Sequence, residues 1–231
     1  MARPAEAAAA PPPEEWSTWR YRDLVDLLAP RLAAGASLVD LGAGTGNTLA
    51  FLRDALGLGP LLAVEQDPAR AQAAALLGCP VLVASVLDPA ALAPHRAGFD
   101  VAVAGDLLHH LTGSSRGASR ALARTALELA RDLVRPGGWL AVLEPTFRPL
   151  AVATAALHLK RAVARYRSRR LELGPRWLNL GPPVVCLHDA GELRRLVADL
   201  AGVELVAVTE RERFAPWPLR RGRATLLARR A

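Results

Sequence analysis

The residues most suited to chemistry stand in two groups. The first reads Asp40-Leu-Gly42-Ala43-Gly44-Thr-Gly46-Asn47. Three glycines at alternate positions follow the apolar run 36–41, so a bare backbone is delivered at the end of a buried strand. Glycine takes positive φ without strain and lets another molecule approach the main chain. A helix starting at Asn47 would offer its free N–H groups to an anionic group. The pattern is G-x-G-x-G. Dinucleotide loops use G-x-G-x-x-G, and here Asn47 holds the place of their third glycine; no Gly-Lys-Ser/Thr follows, as a P-loop requires. About 20 residues beyond the loop, Glu65 ends the next apolar run, where a carboxylate can accept both hydroxyls of a ribose. The plainer reading of Glu65 is an exposed charge at a strand end.

In the second group, Asp106, His109 and His110 stand just past the apolar run 99–104, and Glu144 ends the run 139–144. An imidazole with a pKa near 6.5 suits proton abstraction. Adjacent histidines on a helix project about 100° apart, so one at most is expected to face a substrate. His95, His158 and His188 read as surface or loop residues. Cys79 and Cys186 are the only cysteines. They form neither a metal-ligand cluster nor a redox pair, and no metal site is expected.

The elements that must position these groups alternate. Strands are expected at 36–41, 61–65, 80–84, 99–104 and 139–144. Helices are expected at 47–56, 68–77 (with Pro68 in its first turn) and 116–134, and a Pro136-Gly137-Gly138 turn precedes the fifth strand. Apolar strands alternating with helices predict an α/β fold, doubly wound, with a mostly parallel sheet covered on both faces. Strand carboxyl ends face the ligand crevice of such a sheet. After Glu144 the rhythm changes to a helix over 149–173, a Gly/Pro loop over 174–183, a helix over 189–200 and strands at 203–210 and 224–228. Residues 1–13 form an Ala/Pro tract with little to pack, read as a disordered tail, and 14–231 form one domain.

The chain of 231 residues is 52% hydrophobic and 22% charged, which excludes a wholly disordered protein. No stretch reaches the roughly 20 apolar residues of a membrane span, and no apolar segment follows Arg3 as a secretory signal would require. A cytoplasmic location is the plain expectation. The formal net charge of +7 is nearly all arginine, with Lys160 the single lysine. It permits a polyanionic partner without demanding one.

Taken together, the glycine loop, Val64-Glu65-Gln66-Asp67, the segment 99–111 with Asp106 and His109-His110-Leu111, and Arg135-Pro-Gly-Gly138 resemble the class I S-adenosylmethionine-dependent methyltransferases in order and spacing. The resemblance spans residues 16–231. It implies a Rossmann-like seven-stranded sheet with a reversed last strand, and S-adenosylmethionine as cofactor. By position, the Gly42–Gly46 loop, with Asp40, Ala43 and Asn47 around it, would hold the methionine part. Glu65 would hold the ribose, and Gln66 would lie beside the adenine. The acidic residue that the family often places after strand three is Ser85 here, with Asp88 three residues on; either is a candidate adenine contact. Asp106 would border the cofactor. Methyl transfer from a sulfonium mainly needs alignment and exclusion of water, and a base only where the acceptor must lose a proton. Candidate catalytic residues are therefore His109, His110, Asp106 and Glu144. Trp16, Trp19 and Tyr21 would either close over the sulfonium or staple a helix to the core.

The insertion at 149–183 is where choice of acceptor is expected to reside. Val152, Ala156, Leu159, Val163 and Tyr166 share one helical face, and Lys160, Arg161, Arg165, Arg167, Arg169 and Arg170 crowd the second half. Three readings stay open: a lid over an apolar acceptor pocket with a basic outer face, an interfacial helix at anionic lipid through 149–173, or a contact to RNA phosphates. Nucleic acid is disfavoured, because Gly105-Asp106-Leu-Leu stands where base-amino methylators carry an Asn/Asp-Pro-Pro-aromatic motif. The expected acceptor is a small apolar or aromatic metabolite. RNA methylation, nicotinamide-dependent redox chemistry and a non-catalytic scaffold are the rivals. The C-terminal arginines Arg220, Arg221, Arg223, Arg229 and Arg230 read as solvated strand ends.

Overall fold

The structure, a computed structural model, describes residues 21–166, 183–213 and 219–231. The Ala/Pro tract, Trp16, Trp19 and the second half of the insertion lie outside the described residues. In chain order the elements are α1 (Arg22–Leu28), β1 (Leu38–Leu41), α2 (Asn47–Leu56), β2 (Leu61–Glu65), α3 (Pro68–Leu76), β3 (Val81–Val83) and α4 (Pro89–Leu92). They continue with β4 (Phe99–Gly105), a 3-10 turn (Leu108–His110), α5 (Arg116–Leu133), β5 (Val134–Arg148), α6 (Leu150–Tyr166), α7 (Ala190–Ala198), β6 (Val203–Arg213) and β7 (Arg220–Arg230).

The seven strands form one sheet in the order β3-β2-β1-β4-β5-β7-β6. β1 to β5 pair in parallel, and β7 inserts antiparallel between β5 and β6. This is the doubly wound, mostly parallel sheet with a reversed last strand. β1 is buried at every position, as a central parallel strand covered on both faces must be. Leu24, Leu28, Leu49 and Leu52 of α1 and α2 form the core on one face. Leu127 and Leu133 of α5, with Leu193 and Val197 of α7, form it on the other. Several helix starts are set by side chains on orphan N–H groups. Asp67 accepts from Ala69 and Arg70 before α3, Ser115 from Ala118 before α5, and Asp189 from Glu192 before α7.

Several elements differ from expectation. The Pro136-Gly137-Gly138 turn is a bulge within β5, which runs Val134–Arg148 instead of 139–144, so Glu144 lies inside the strand, one residue past its last pair with β4. The register on β4 passes from Phe99↔Val134 to Val101↔Trp139, and a Cβ on Gly138 would lie 2.6 Å from Val134 Cγ1. β7 runs Arg220–Arg230 instead of 224–228, because its full length pairs with β5 and β6. In α6 it is Ala153 and Leu157 that are buried; Val152, Leu159 and Tyr166 of the expected lid face are exposed. No helix among the described residues is long and apolar enough to cross a membrane.

Candidate active site

The carboxyl ends of β1, β2 and β4 meet at the glycine loop. The Gly42 and Ala43 N–H groups donate to the Val64 carbonyl at 2.8 and 3.1 Å. The Gly44 N–H donates to Glu65 Oε2 at 2.8 Å, and the Asp67 N–H to Oε1 at 2.8 Å. Glu65 is therefore no exposed strand-end charge: it is 5% exposed and clamps the loop of the neighbouring strand. The three glycines have positive φ for different surroundings. A Cβ on Gly42 would strike Leu107 Cδ1 at 2.7 Å, and one on Gly46, which precedes α2, would strike Ala74 Cβ at 2.8 Å. Gly44, at φ +57°, meets nothing within 4 Å. Packing requires the outer two, and the middle one opens the loop to a ligand.

Below the loop Asp40 is 2% exposed, and its Oδ2 has no hydrogen-bond partner. Burial, then the Asp106 and Glu65 carboxylates, push its pKa up to about 8. A buried carboxyl oxygen without a partner is costly, and a cationic group bound beside it would remove that cost. The other residues of this half are exposed or partly so. Asn47 donates to Thr45 Oγ1 at 3.0 Å, and Gln66 lies open. Ser85 Oγ accepts from the Leu87 N–H at 3.2 Å. The Asp88 carboxylate caps α4 through the Ala90 and Ala91 N–H groups at 3.0 and 3.2 Å. Tyr21 is buried, its ring centroid lies 5.8 Å from that of Phe51, and its hydroxyl accepts from Thr48 Oγ1 at 2.7 Å. These contacts staple α1 to α2.

The second group is built on the end of β4 and on β5 beside it. Asp106 adopts φ +52°, a conformation that aspartate tolerates better than most residues, and turns the chain into the 3-10 segment. Glu144, fully buried, accepts the Leu107 and Leu108 N–H groups on Oε1 at 2.6 and 2.5 Å. Its Oε2 lies 2.7 Å from His109 Nδ1. Burial works against a His109 cation, but the Glu144 carboxylate, aided by Asp106, outweighs it, and the pKa stands above the ordinary 6.5. His110 behaves oppositely: desolvation first and the His109 charge second push it down to about 4. The two side chains differ in setting: His109 is turned inward onto Glu144, and His110 is exposed. Their rings nevertheless lie with centroids 4.1 Å apart.

Two further clusters had no local sequence signal. Arg223 on β7 bridges Asp106, with Nη2 to Oδ1 at 3.0 Å and Nη1 to Oδ2 at 3.2 Å. That arginine is no solvated strand end, and Arg230 likewise donates to the Arg131 carbonyl at 3.1 Å. His188, expected at the surface, is fully buried. Its Nδ1 lies 2.8 Å from Glu192 Oε2, and Glu192 also binds Arg116 and Arg120. These four pair α5 with the segment entering α7, and the Cys186 N–H donates to the His109 carbonyl at 2.8 Å, tying that segment to the histidine turn. Asp189 and Glu192 do show the capping spacing D-x-x-E, but nothing in it announces a buried histidine beside it.

A cavity of about 310 Å³, lined by Arg31, Asp100, Arg135 and Trp139 among others, lies at the opposite, amino-terminal edge of the sheet, away from both groups. Another, of about 360 Å³, lies where β5 ends and α6 begins, between Arg148, Leu150, Asp189 and Arg220.

Residues 14–208 match the model of a methyltransferase domain family. No curated protein matches the chain. Solved structures do resemble it. An S-adenosylmethionine-dependent methyltransferase from Methanosarcina mazei is 13% identical with a TM-score of 0.66, over 88% of this chain and 96% of that one. The YcgJ protein from Bacillus subtilis is 10% identical with a TM-score of 0.62, over 90% and 98%. A geranyl diphosphate methyltransferase in complex with geranyl diphosphate and sinefungin is 12% identical with a TM-score of 0.61, over 93% and 78%. At these identities the likeness shows the fold, and the family match supplies the rest. The chain belongs to the methyltransferase domain family and is a class I S-adenosylmethionine-dependent methyltransferase. The room above Gly44 and the partnerless oxygen of Asp40 fit that cofactor, which carries a sulfonium and an ammonium.

Proposed function

We propose that this enzyme methylates a small, apolar or aromatic acceptor that must lose a proton, and that His109 is the base. The Glu144–His109 contact carries the reading. A buried carboxylate fixes the Nδ1 side of the ring, leaves Nε2 to take a proton, and stabilises the imidazolium that results, as the third group of a catalytic triad does. Its cost in orientation is met in advance, because the same carboxylate is locked by two main-chain N–H groups. His110, at a pKa of about 4, is neutral at ordinary pH and serves as a packing partner for the base.

Asp40 and the Gly42–Gly46 loop would hold the methionine end of the cofactor, with Ala43 and Asn47 at its border. Each Glu65 oxygen already accepts one main-chain N–H. A carboxylate offers about four lone-pair sites, so those remaining suffice for the ribose hydroxyls. Gln66, Ser85 and Asp88 line the adenosine side. Bound there, S-adenosylmethionine supplies an electrophilic methyl and a good leaving group. The residues of the chain only align, exclude water and receive the proton. The Arg223–Asp106 bridge holds Asp106 at the junction of the two groups. An apolar acceptor is supported by the partly exposed Leu111 just past the histidines and by analogy with the geranyl diphosphate enzyme.

The test is formation of S-adenosylhomocysteine from S-adenosylmethionine in the presence of a panel of small phenols, alcohols and amines. His109→Gln is expected to lower kcat at least ~100-fold without changing cofactor affinity. It should also abolish a rate limb that is lost as pH falls through the raised His109 pKa. His110→Ala should stay within ~3-fold of wild type. Wild-type kcat in His109→Gln would remove His109 as base, and methylation of bulk RNA with steep salt dependence would overturn the small-molecule reading.

A further inference from the structure

The geometry points to the outward face of α6 as a docking surface for an anionic lipid bilayer. Val152, Ala155, Leu159, Ala162 and Tyr166 follow one another at three- and four-residue steps and all face solvent. Val152 is 38% exposed, Leu159 51% and Tyr166 88%. Only His158 and Arg165 interrupt them on that face. α5 shows what a solvated helix of this protein looks like, since its outward positions include Arg120, Arg124 and Thr125. The inner face of α6 is already satisfied. Ala153 and Leu157 are buried, and the Arg161 guanidinium donates to the Gly113 and Ser114 carbonyls. The helix is thus held from behind with its apolar stripe turned away from the core.

Charge selects the occupant. Across its 17 residues α6 carries no acidic residue; of its cations Lys160, Arg161 and Arg165, Arg161 is turned inward and Arg165 lies on the exposed face. An apolar stripe with a cation set in it and no carboxylate on the helix is the composition of a helix lying in the headgroup region of an anionic leaflet. A second copy of the chain would set cations against cations. RNA would use the arginines and leave the stripe without a role. The helix begins six residues after Glu144, so docking would bring the β5 end of the active site to the membrane surface, where an apolar acceptor concentrates. The proposal does not depend on the identity of the acceptor.

The experiment is co-sedimentation of the full chain with vesicles of phosphatidylcholine, or of phosphatidylcholine and phosphatidylglycerol at about three to one. The protein should bind the mixed vesicles, more weakly at high salt, and leave the neutral ones in solution. Leu159→Glu should lower the bound fraction about 10-fold, and Tyr166→Ser and Arg165→Glu less, all with unchanged thermal unfolding. Three results would overturn the proposal: no binding to anionic vesicles, Leu159→Glu binding as well as wild type, or a dimer that Leu159→Glu dissociates. Competition by a homopolymer RNA that Leu159→Glu does not alter would assign the face to nucleic acid instead.

Discussion

Glu65 and Glu144 use one device in two halves of the site. Glu65 ends β2 and Glu144 lies one residue past the last β5 pair with β4; each is buried and reaches sideways to accept main-chain N–H groups from the loop after an adjacent strand: Gly44 beyond β1 for Glu65, Leu107 and Leu108 beyond β4 for Glu144. What the second oxygen does separates them. In Glu65 it accepts the N–H of Asp67, the capping residue of α3, so the whole clamp is main chain and shapes an opening. In Glu144 it lies against an imidazole and sets that ring's orientation and basicity. The same carboxylate makes a binding surface in one half and a reactive group in the other, and only the identity of the third partner decides which.

Glu144→Gln puts the largest strain on that contrast. The amide can still accept the Leu107 and Leu108 N–H groups, so thermal stability should fall little. Its NH2 would face His109 Nδ1 and turn the ring to the tautomer with a proton on Nε2, which cannot act as base. Turnover should drop at least ~100-fold with cofactor affinity unchanged. Retained turnover would reduce Glu144 to a purely structural clamp, like Glu65.

Asp40→Asn should separate stability from binding. The folded pKa of Asp40, about 8, exceeds the ordinary 3.8. Its contribution to stability is therefore full below about pH 4 and lost as pH rises through 8. The asparagine variant should unfold at higher temperature than wild type at pH 9 and match it near pH 4. It should also bind S-adenosylmethionine roughly 10- to 100-fold more weakly at pH 9, where the wild-type carboxylate is ionised. Calorimetric titration and thermal melts across pH read both effects, and equal affinities would show that no cation sits on Asp40.

Glu65→Ala tests the binding half alone. It leaves the Gly44 and Asp67 N–H groups without their acceptor, and each charge-assisted bond contributes about 1.5–3 kcal/mol. Cofactor Kd should rise by about 10-fold or more, with kcat at saturating cofactor near wild type. A fall in kcat with unchanged Kd would mean that the two carboxylates are not divided as described.

The binding half was the more legible. β2 has the bounds expected from its apolar run, Glu65 at its end was singled out by spacing, and the glycines announced a backbone that something must approach. These signals are local: strand, turn and helix follow one another within a few dozen residues. Even so, the loop-facing role of Glu65 was not legible, because its partner Gly44 belongs to another strand and only sheet pairing brings them together.

The sequence by itself determined the order of elements, the parallel half of the sheet and the grouping of Asp40, Glu65, Asp106, His109, His110 and Glu144 toward the carboxyl edge of the parallel strands. Periodicity and turn chemistry act over short stretches, and a parallel sheet puts every strand end on one edge. Tertiary structure decided the partners. It set Glu144 against a histidine 35 residues away, Arg223 against Asp106 at a separation of 117, and buried His188 beside Glu192 and Arg116. It also turned the apolar stripe of α6 outward, which periodicity cannot do, since an amphipathic pattern defines a face and not the side on which the core lies.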